Sequence, residues 1–141
     1  MHEMSSEEIR AFLTTSPRTL KVATVRTDGT PHVAPVWFVL DGDDIVFSTP
    51  SRSVKARNLR ANQRVCICVD DEQPPFGFIS ATGSATLHLR PDDLVHWTTR
   101  IARRYLGDQA APAAGKLYAE IDDLLVRIRV TAMVARAGIA D

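Results

Sequence analysis

The chain has 141 residues, 45% of them hydrophobic and 24% charged, the balance of one compact folded domain rather than a disordered or fibrous chain. Its 17 basic and 17 acidic side chains cancel, which argues against a general nucleic-acid binder, whose basic excess would survive in the sum. No apolar run reaches the roughly 18 residues that cross a bilayer, and the acidic start through Glu3, Glu7 and Glu8 lacks the basic-then-apolar order of a signal peptide, so a single cytoplasmic domain over residues 1–141, with neither nucleic acid nor membrane as partner, is expected.

Ser5-Ser6-Glu7-Glu8 has the form of a capping box, and Ile9, Phe12 and Leu13 follow at helical spacing. From Leu20 to Arg26 the pattern changes to β-branched alternation, and Asp28-Gly29 marks a hairpin into a second strand, His32 to Leu40. Pro35 cannot donate to a ladder, so that strand runs along an edge or carries a bulge. Asp41-Gly42-Asp43-Asp44 turns the chain into a third strand, Ile45 to Thr49. Ser51 to Asn62 reads as a short helix with Ser51 or Ser53 at its N-cap.

Arg64 to Val69 is a fourth strand, in which Cys66 and Cys68 point to one face. They are too constrained for an ordinary disulfide and read as small core residues, with a redox role as the rival reading. Phe78 to Leu87 is a fifth strand with Gly83 suited to a bulge. Pro91 opens a helix that runs to Leu106-Gly107, Ala110 to Gly115 reads as a small-residue loop, and Leu124 to Val134 is the sixth strand, with Arg127 and Arg129 on one face. Six mostly antiparallel strands with inserted helices imply a mainly β chain, a small barrel with peripheral α-helices.

The charge is unevenly sorted. Fourteen of the 17 basic residues are Arg, and the run from Ile45 to Val69 holds Arg52, Lys55, Arg57, Arg60 and Arg64 with no Asp or Glu. Ser48, Thr49, Ser51 and Ser53 interleave them where a strand ends and a helix begins. Hydroxyls, cations and the free N–H groups of a helix start suit a phosphate; from charge alone, a solvated and salt-bridged helix face reads as well. Arg100, Arg103 and Arg104 share a second helix face, which could be plain surface or could hold the outer end of a multiply anionic ligand. Trp37 and Phe38 point to opposite sides of their strand, so one can be core while the other flanks a planar ring. No Gly-rich phosphate loop, nucleophile elbow or metal-ligand spacing is present, so any chemistry belongs to a bound cofactor, with no catalytic side chain of the chain's own and no metal.

Asp28-Gly29-Thr30-Pro31-His32-Val33-Ala34-Pro35-Val36-Trp37-Phe38, then Phe47-Ser48-Thr49, Ser53-Val54-Lys55-Ala56-Arg57-Asn58-Leu59 and Arg64-Val65 together resemble the pyridoxamine 5′-phosphate oxidase-like flavin and deazaflavin oxidoreductases. The likeness is greatest to the branch that uses coenzyme F420, whose late Arg-Tyr-Leu-Gly motif is matched by Arg104-Tyr105-Leu106-Gly107. The resemblance implies a six-stranded split β-barrel of the FMN-binding type and a homodimer with one cofactor in each of two grooves between subunits. It places Ser48, Thr49, Ser53 and Lys55 at the cofactor phosphate with Arg57 beside them, Val33, Ala34, Pro35, Val36 and Trp37 along the ring, and Phe76 and Phe78 as visitors from the partner. The surplus arginines favour coenzyme F420, with its acidic tail, over FMN. A hydride transfer to an unsaturated organic substrate follows, with His32 or solvent returning the proton. The alternatives are an FMN-binding flavin reductase or oxidase and a non-catalytic carrier of flavin, deazaflavin or haem.

Overall fold

A computed structural model describes residues Met1–Asp141. The chain opens on a two-residue strand, β1 (His2–Glu3), and a helix, α1 (Ser6–Thr14), whose capping box forms as expected: the Glu8 amide donates to Ser5 Oγ (3.1 Å) and the Ser5 amide to Glu8 Oε1 (3.2 Å). The hairpin of β2 (Leu20–Val25) and β3 (Pro31–Val36) turns at Gly29, whose φ of 89° favours glycine. Then come β4 (Val39–Asp41), β5 (Asp44–Thr49), α2 (Val54–Ala61), β6 (Arg64–Asp71), β7 (Gly77–Leu89), α3 (Leu94–Leu106), α4 (Ala111–Ile121) and β8 (Leu124–Ala137).

The strands form one antiparallel sheet in the order β3-β2-β6-β7-β8-β5-β4, with β1 paired to β8. β3 and β4 are separated by only Trp37 and Phe38, yet they lie at opposite edges of this sheet. Two residues cannot span a flat sheet of seven strands at about 4.8 Å spacing, so the sheet curls until its edges meet, and no β3–β4 ladder laces the seam. The inside is filled by residues of alternate positions, Leu20 and Val22 of β2, Phe47 of β5, Ile79 of β7, Val126 and Ile128 of β8, with Leu59 of α2 and Phe38 of the seam, all less than 3% exposed. Outside the barrel, Leu94, Trp97 and Ile101 of α3 pack on Val39, Val46 and Leu125.

Several expectations need correction. There are eight strands, not six: the run from His32 to Leu40 breaks at Trp37-Phe38, where the chain passes between sheet edges, and His2–Glu3 adds a strand at the end of β8. Residues 110–115 are not a loop but the start of α4, with Pro112 in its first turn. The glycine there serves close packing: a Cβ on Gly115 would overlap Thr99 Oγ1 and lie 2.7 Å from Thr99 Cα, and Thr98 Oγ1 donates to Gly115 O (2.7 Å). α3 begins at Leu94 rather than Pro91, and Asp93 at its N-cap accepts from Trp97 Nε1 (3.0 Å). Cys66 and Cys68 are not core. Val65, Ile67 and Val69 take the inward phase of β6, leaving Cys66 exposed and Cys68 half-buried on the outer face. The edge position of β3 and the irregularity at Thr82/Gly83 agree with the roles read for Pro35 and Gly83.

Candidate functional site

The register of β5 on β8 sets the site. Thr49 lies opposite Leu124, so the residues beyond the ladder, Pro50 to Ser53 on one side and Asp122-Asp123 on the other, are brought together at the mouth of the seam. Asp123 accepts from the Ser51 amide (2.7 Å) and from Ser51 Oγ (2.9 Å), which ties the loop before α2 to β8. Ser53 is the N-cap: its Oγ accepts from the Ala56 amide (3.2 Å) and from Thr49 Oγ1 (3.0 Å). The loop and helix start are thereby held with Lys55 in the first turn, near amides that have no preceding turn to bond.

A cavity of about 450 Å³ lies here, within the range of small-molecule sites. Pro35, Val36 and Trp37 form one wall, Ser48 and Thr49 end β5 at its base with Pro50 and Lys55 beside them, and Thr98 and Ile101 of α3 with Tyr118 and Asp122 of α4's end close the far side. Trp37 lies flat on Tyr105 and meets Tyr118 edge-on, with centroids 6.1 Å apart, while Phe38 turns into the core. Lys55 and Asp122 set the charge. Burial lowers the Lys55 pKa while Asp122 opposes that fall. Burial raises the Asp122 pKa, against the hydrogen bond from Ser48 Oγ (2.9 Å) and the pull of Lys55.

Of the residues expected at a site, Pro35, Val36, Trp37, Ser48, Thr49 and Lys55 share this cavity. Ser53 braces it from behind. Val33 is 65% exposed on the outer face of β3, and Ala34 is half-buried on the inner one. Neither lines the cavity. Arg57 faces solvent, its Nη2 donating to Arg52 O (3.4 Å). Phe76 is exposed beyond β6, and Phe78 lies opposite Asp70 and Arg136 on the outer sheet face; the single chain does not bring them to the cavity. His32 is on β3 opposite Thr24, also outside it. Sequence reasoning missed Thr98, Ile101, Tyr118 and Asp122, which come from helices whose placement no local pattern encodes.

The arginines divide in a way that sequence did not foresee. Arg52, Arg57, Arg60 and Arg64 form no ion pair; the acidic loops pair elsewhere, Asp70 with Lys21 (2.6 Å), Asp71 with Arg18 (3.0 Å), and Asp41 with Arg127 (2.6 Å). The α2 face is therefore not salt-bridged. Arg100, Arg103 and Arg104 do not reach the first cavity, because at about 100° per residue they fall on the side of α3 away from Thr98 and Tyr105. Arg104 is a strut, donating to Phe38 O (2.8 Å), Leu13 O (2.7 Å) and Ser16 O (2.9 Å).

Residues 5–135 match the family model described as pyridoxamine 5'-phosphate oxidase. The chain belongs to the pyridoxamine 5'-phosphate oxidase family. With it comes the family's split-barrel fold, which accounts for the unlaced seam and is a fold that binds flavin-type cofactors. A crystal structure of a conserved hypothetical protein from Mycobacterium tuberculosis is similar at 28% identity and a TM-score of 0.82, covering 96% of this chain and 86% of that one. A structure named F420 reductase is 30% identical with a TM-score of 0.69, covering 87% of this chain and 94% of the other. A haem-storage protein from Vibrio cholerae shares the fold at 22% identity and a TM-score of 0.72, over 96% of this chain and 98% of that one. No curated relative matches the sequence. No helix of the chain is long and apolar enough to cross a membrane.

Proposed function

We propose that this chain is an oxidoreductase that moves a hydride between coenzyme F420 and an unsaturated organic substrate, acting as a homodimer. The observation that carries the reading is the convergence of the Lys55 ammonium, the Ser48 and Thr49 hydroxyls and the Trp37 wall on one cavity. Cation and hydroxyls fit a phosphate, and the aromatic and aliphatic wall fits a flat ring. The relative named F420 reductase, at 30% identity, supports the choice of cofactor, as do Arg52, Arg57, Arg60 and Arg64, which lack carboxylate partners and suit an acidic tail.

When bound, the deazaflavin supplies a hydride at its ring carbon, a two-electron transfer. Lys55, Ser48 and Thr49 would hold the phosphate, with Ser53 fixing the loop and helix start behind them and Arg57 outside on the same helix, and Pro35, Val36 and Trp37 would orient the ring, with Val33 and Ala34 extending that strand. Ile101 and Tyr118 exclude water on the other side. Asp122 is the carboxyl group of this cavity, its Oδ2 accepting from Ser48 Oγ (2.9 Å), and burial raises its pKa. On this reading two copies meet through the outer face of β2, β3, β6, β7 and β8, where Ala23, Val33, Cys66, Phe78 and Val134 lie among Lys21, Asp70 and Arg136; Phe76 and Phe78 then reach the other copy's site.

Titration of the purified chain with coenzyme F420 and with FMN, followed through Trp37 and Trp97 emission, tests the reading. At least tenfold tighter binding of F420 is expected, with hydride delivery to enones or quinones from the reduced form. Tighter FMN binding overturns it in favour of a flavin enzyme, and a Soret band on haem addition with no deazaflavin binding overturns it in favour of a carrier.

A further inference from the structure

Arg10 and Thr14 of α1 and Arg100, Arg103 and Arg104 of α3 surround a second cavity of about 330 Å³, separate from the one at Lys55 and lined by no carboxylate. Four guanidiniums lie around it, and their neutralisation is slight. Arg10 faces Asp43 at 3.9 Å and Arg103 faces Asp108 at 3.2 Å, but the Asp43 side chain is fully exposed and that of Asp108 is 88% exposed, so water screens both pairs. Arg100 and Arg104 form no ion pair; their partners are backbone carbonyls, Leu40 O for Arg100 (3.2 Å) and three for Arg104.

Those bonds orient the cluster without consuming it. Arg100 is fixed by Nη2 to Leu40 O and by its guanidinium lying over the Trp97 ring at 4.9 Å, leaving Nη1 without a protein acceptor. Arg103 uses only Nε, and Arg10 only Nη1. The unspent terminal nitrogens come from two helices that approach from different sides. A planar carboxylate satisfies one such fork, whereas the tetrahedral oxygens of a phosphate accept from several directions at once. Two linked phosphates answer more of the cluster's charge than one.

We infer that the α1–α3 cavity is an anion site for a compact polyphosphate, of the diphosphate class, with Arg10, Arg100 and Arg103 as its ligands and Arg104 as a fixed positive floor. This site is independent of the cofactor reading, since it shares no residue with the Lys55 cavity. An anion there bridges α1 to α3, the helix whose other side carries Thr98 and Ile101 to the first cavity.

Calorimetric titration with inorganic diphosphate at 0.15 M salt, on the wild-type chain, Lys55→Gln and the double variant Arg100→Gln/Arg103→Gln, tests the assignment. Saturable binding that persists in Lys55→Gln and weakens at least tenfold in the double variant is expected. Amide NMR of the wild-type chain keeps the test independent of the variant's folding: diphosphate should shift Thr14, Leu40 and Arg100 to Arg104. Absence of saturable binding, shifts confined to Ser48 to Ala56, loss of binding in Lys55→Gln with retention in the double variant, or citrate binding as tightly as diphosphate would each overturn it.

Discussion

The indole of Trp37 and the phenol of Tyr105 are stacked 4.7 Å apart and 3° from parallel, and the same Tyr105 hydroxyl accepts from the Phe38 amide (3.2 Å) and donates to Arg18 O (2.7 Å). One side chain thus supports the cavity wall and satisfies backbone groups on both sides of the sheet's seam. Burial raises the phenol's pKa, against the hydrogen bond from Phe38 and the nearby Arg104 charge, so it is a neutral donor at ordinary pH.

Tyr105→Phe keeps the stack and strips the hydroxyl, leaving the Phe38 amide and the Arg18 carbonyl without their partner. A loss of about 1–3 kcal/mol in folding stability is expected, read by urea denaturation, with Trp emission little changed. Tyr105→Ala should additionally red-shift that emission, since Trp37 loses the ring that covers it. A stability unchanged in the Phe variant would remove the hydroxyl from the seam's support.

Lys55→Ala should weaken binding of a phosphorylated cofactor by about 1.5–3 kcal/mol, the range for hydrogen bonds to a charged group, or roughly ten- to a hundredfold in Kd. Ser53→Ala acts first on the fold, because the N-cap and the Thr49 bond are both lost; about 1 kcal/mol of stability is expected to go. Equal cofactor affinity in wild type and Lys55→Ala would place the phosphate elsewhere.

Asp122 gives the pH dependence. Its folded pKa is raised by burial, so above the ordinary aspartate range the folded chain holds a proton that the unfolded chain has released, and stability contributed by this group falls as pH climbs through that window. Asp122→Asn removes the slope. The stability of the variant relative to wild type, measured by denaturation between pH 4 and 8, should therefore grow with pH. Lys55, lowered by burial, has the opposite slope: stability rises as pH climbs from the folded lysine's lowered pKa to that of the unfolded lysine, where the rise ends. A variant advantage that shrinks with pH would mean that Asp122 is better held ionised than neutral.

Gly115→Ala places a methyl against the backbone of Thr99, and the two helices must part. A cost of about 1–3 kcal/mol is expected from overpacking, visible as a lower Tm, together with weaker ligand binding because Tyr118 and Asp122 ride on the end of α4. Gly107→Ala, where a Cβ meets nothing but φ is 93°, provides a contrast: its strain is local and should leave the cavity intact.

What was legible in the sequence was local. The capping box at Ser5, the hairpin at Gly29, the edge position of Pro35 and the hydroxyl-rich junction from Ser48 to Lys55 each follow from residues within one or two turns of one another. The second half of the cavity was not legible, because Thr98, Tyr118 and Asp122 reach it through packing and β5–β8 register, with no short-range signature. Alanine-rich residues 110–115 read as a loop because Gly115 serves a helix contact rather than a turn. Cys66 and Cys68 were placed on one face by alternation, but alternation alone does not say which face is inward; the neighbours Val65, Ile67 and Val69 decide it.

The two-residue passage between β3 and β4 bears on how such a chain can change. Trp37 stands where no ladder hydrogen bond crosses, and Tyr118 and Ile101 face it from helices outside the barrel. Exchanging these side chains alters the room available to a ligand without unpicking any strand pair. Libraries directed at Trp37 and Tyr118 should therefore yield mostly folded variants with altered preference among ligands, whereas the same diversity at Ile101, which also packs α3 on the sheet, or at Phe47 or Val126 would be spent on repairing the interior.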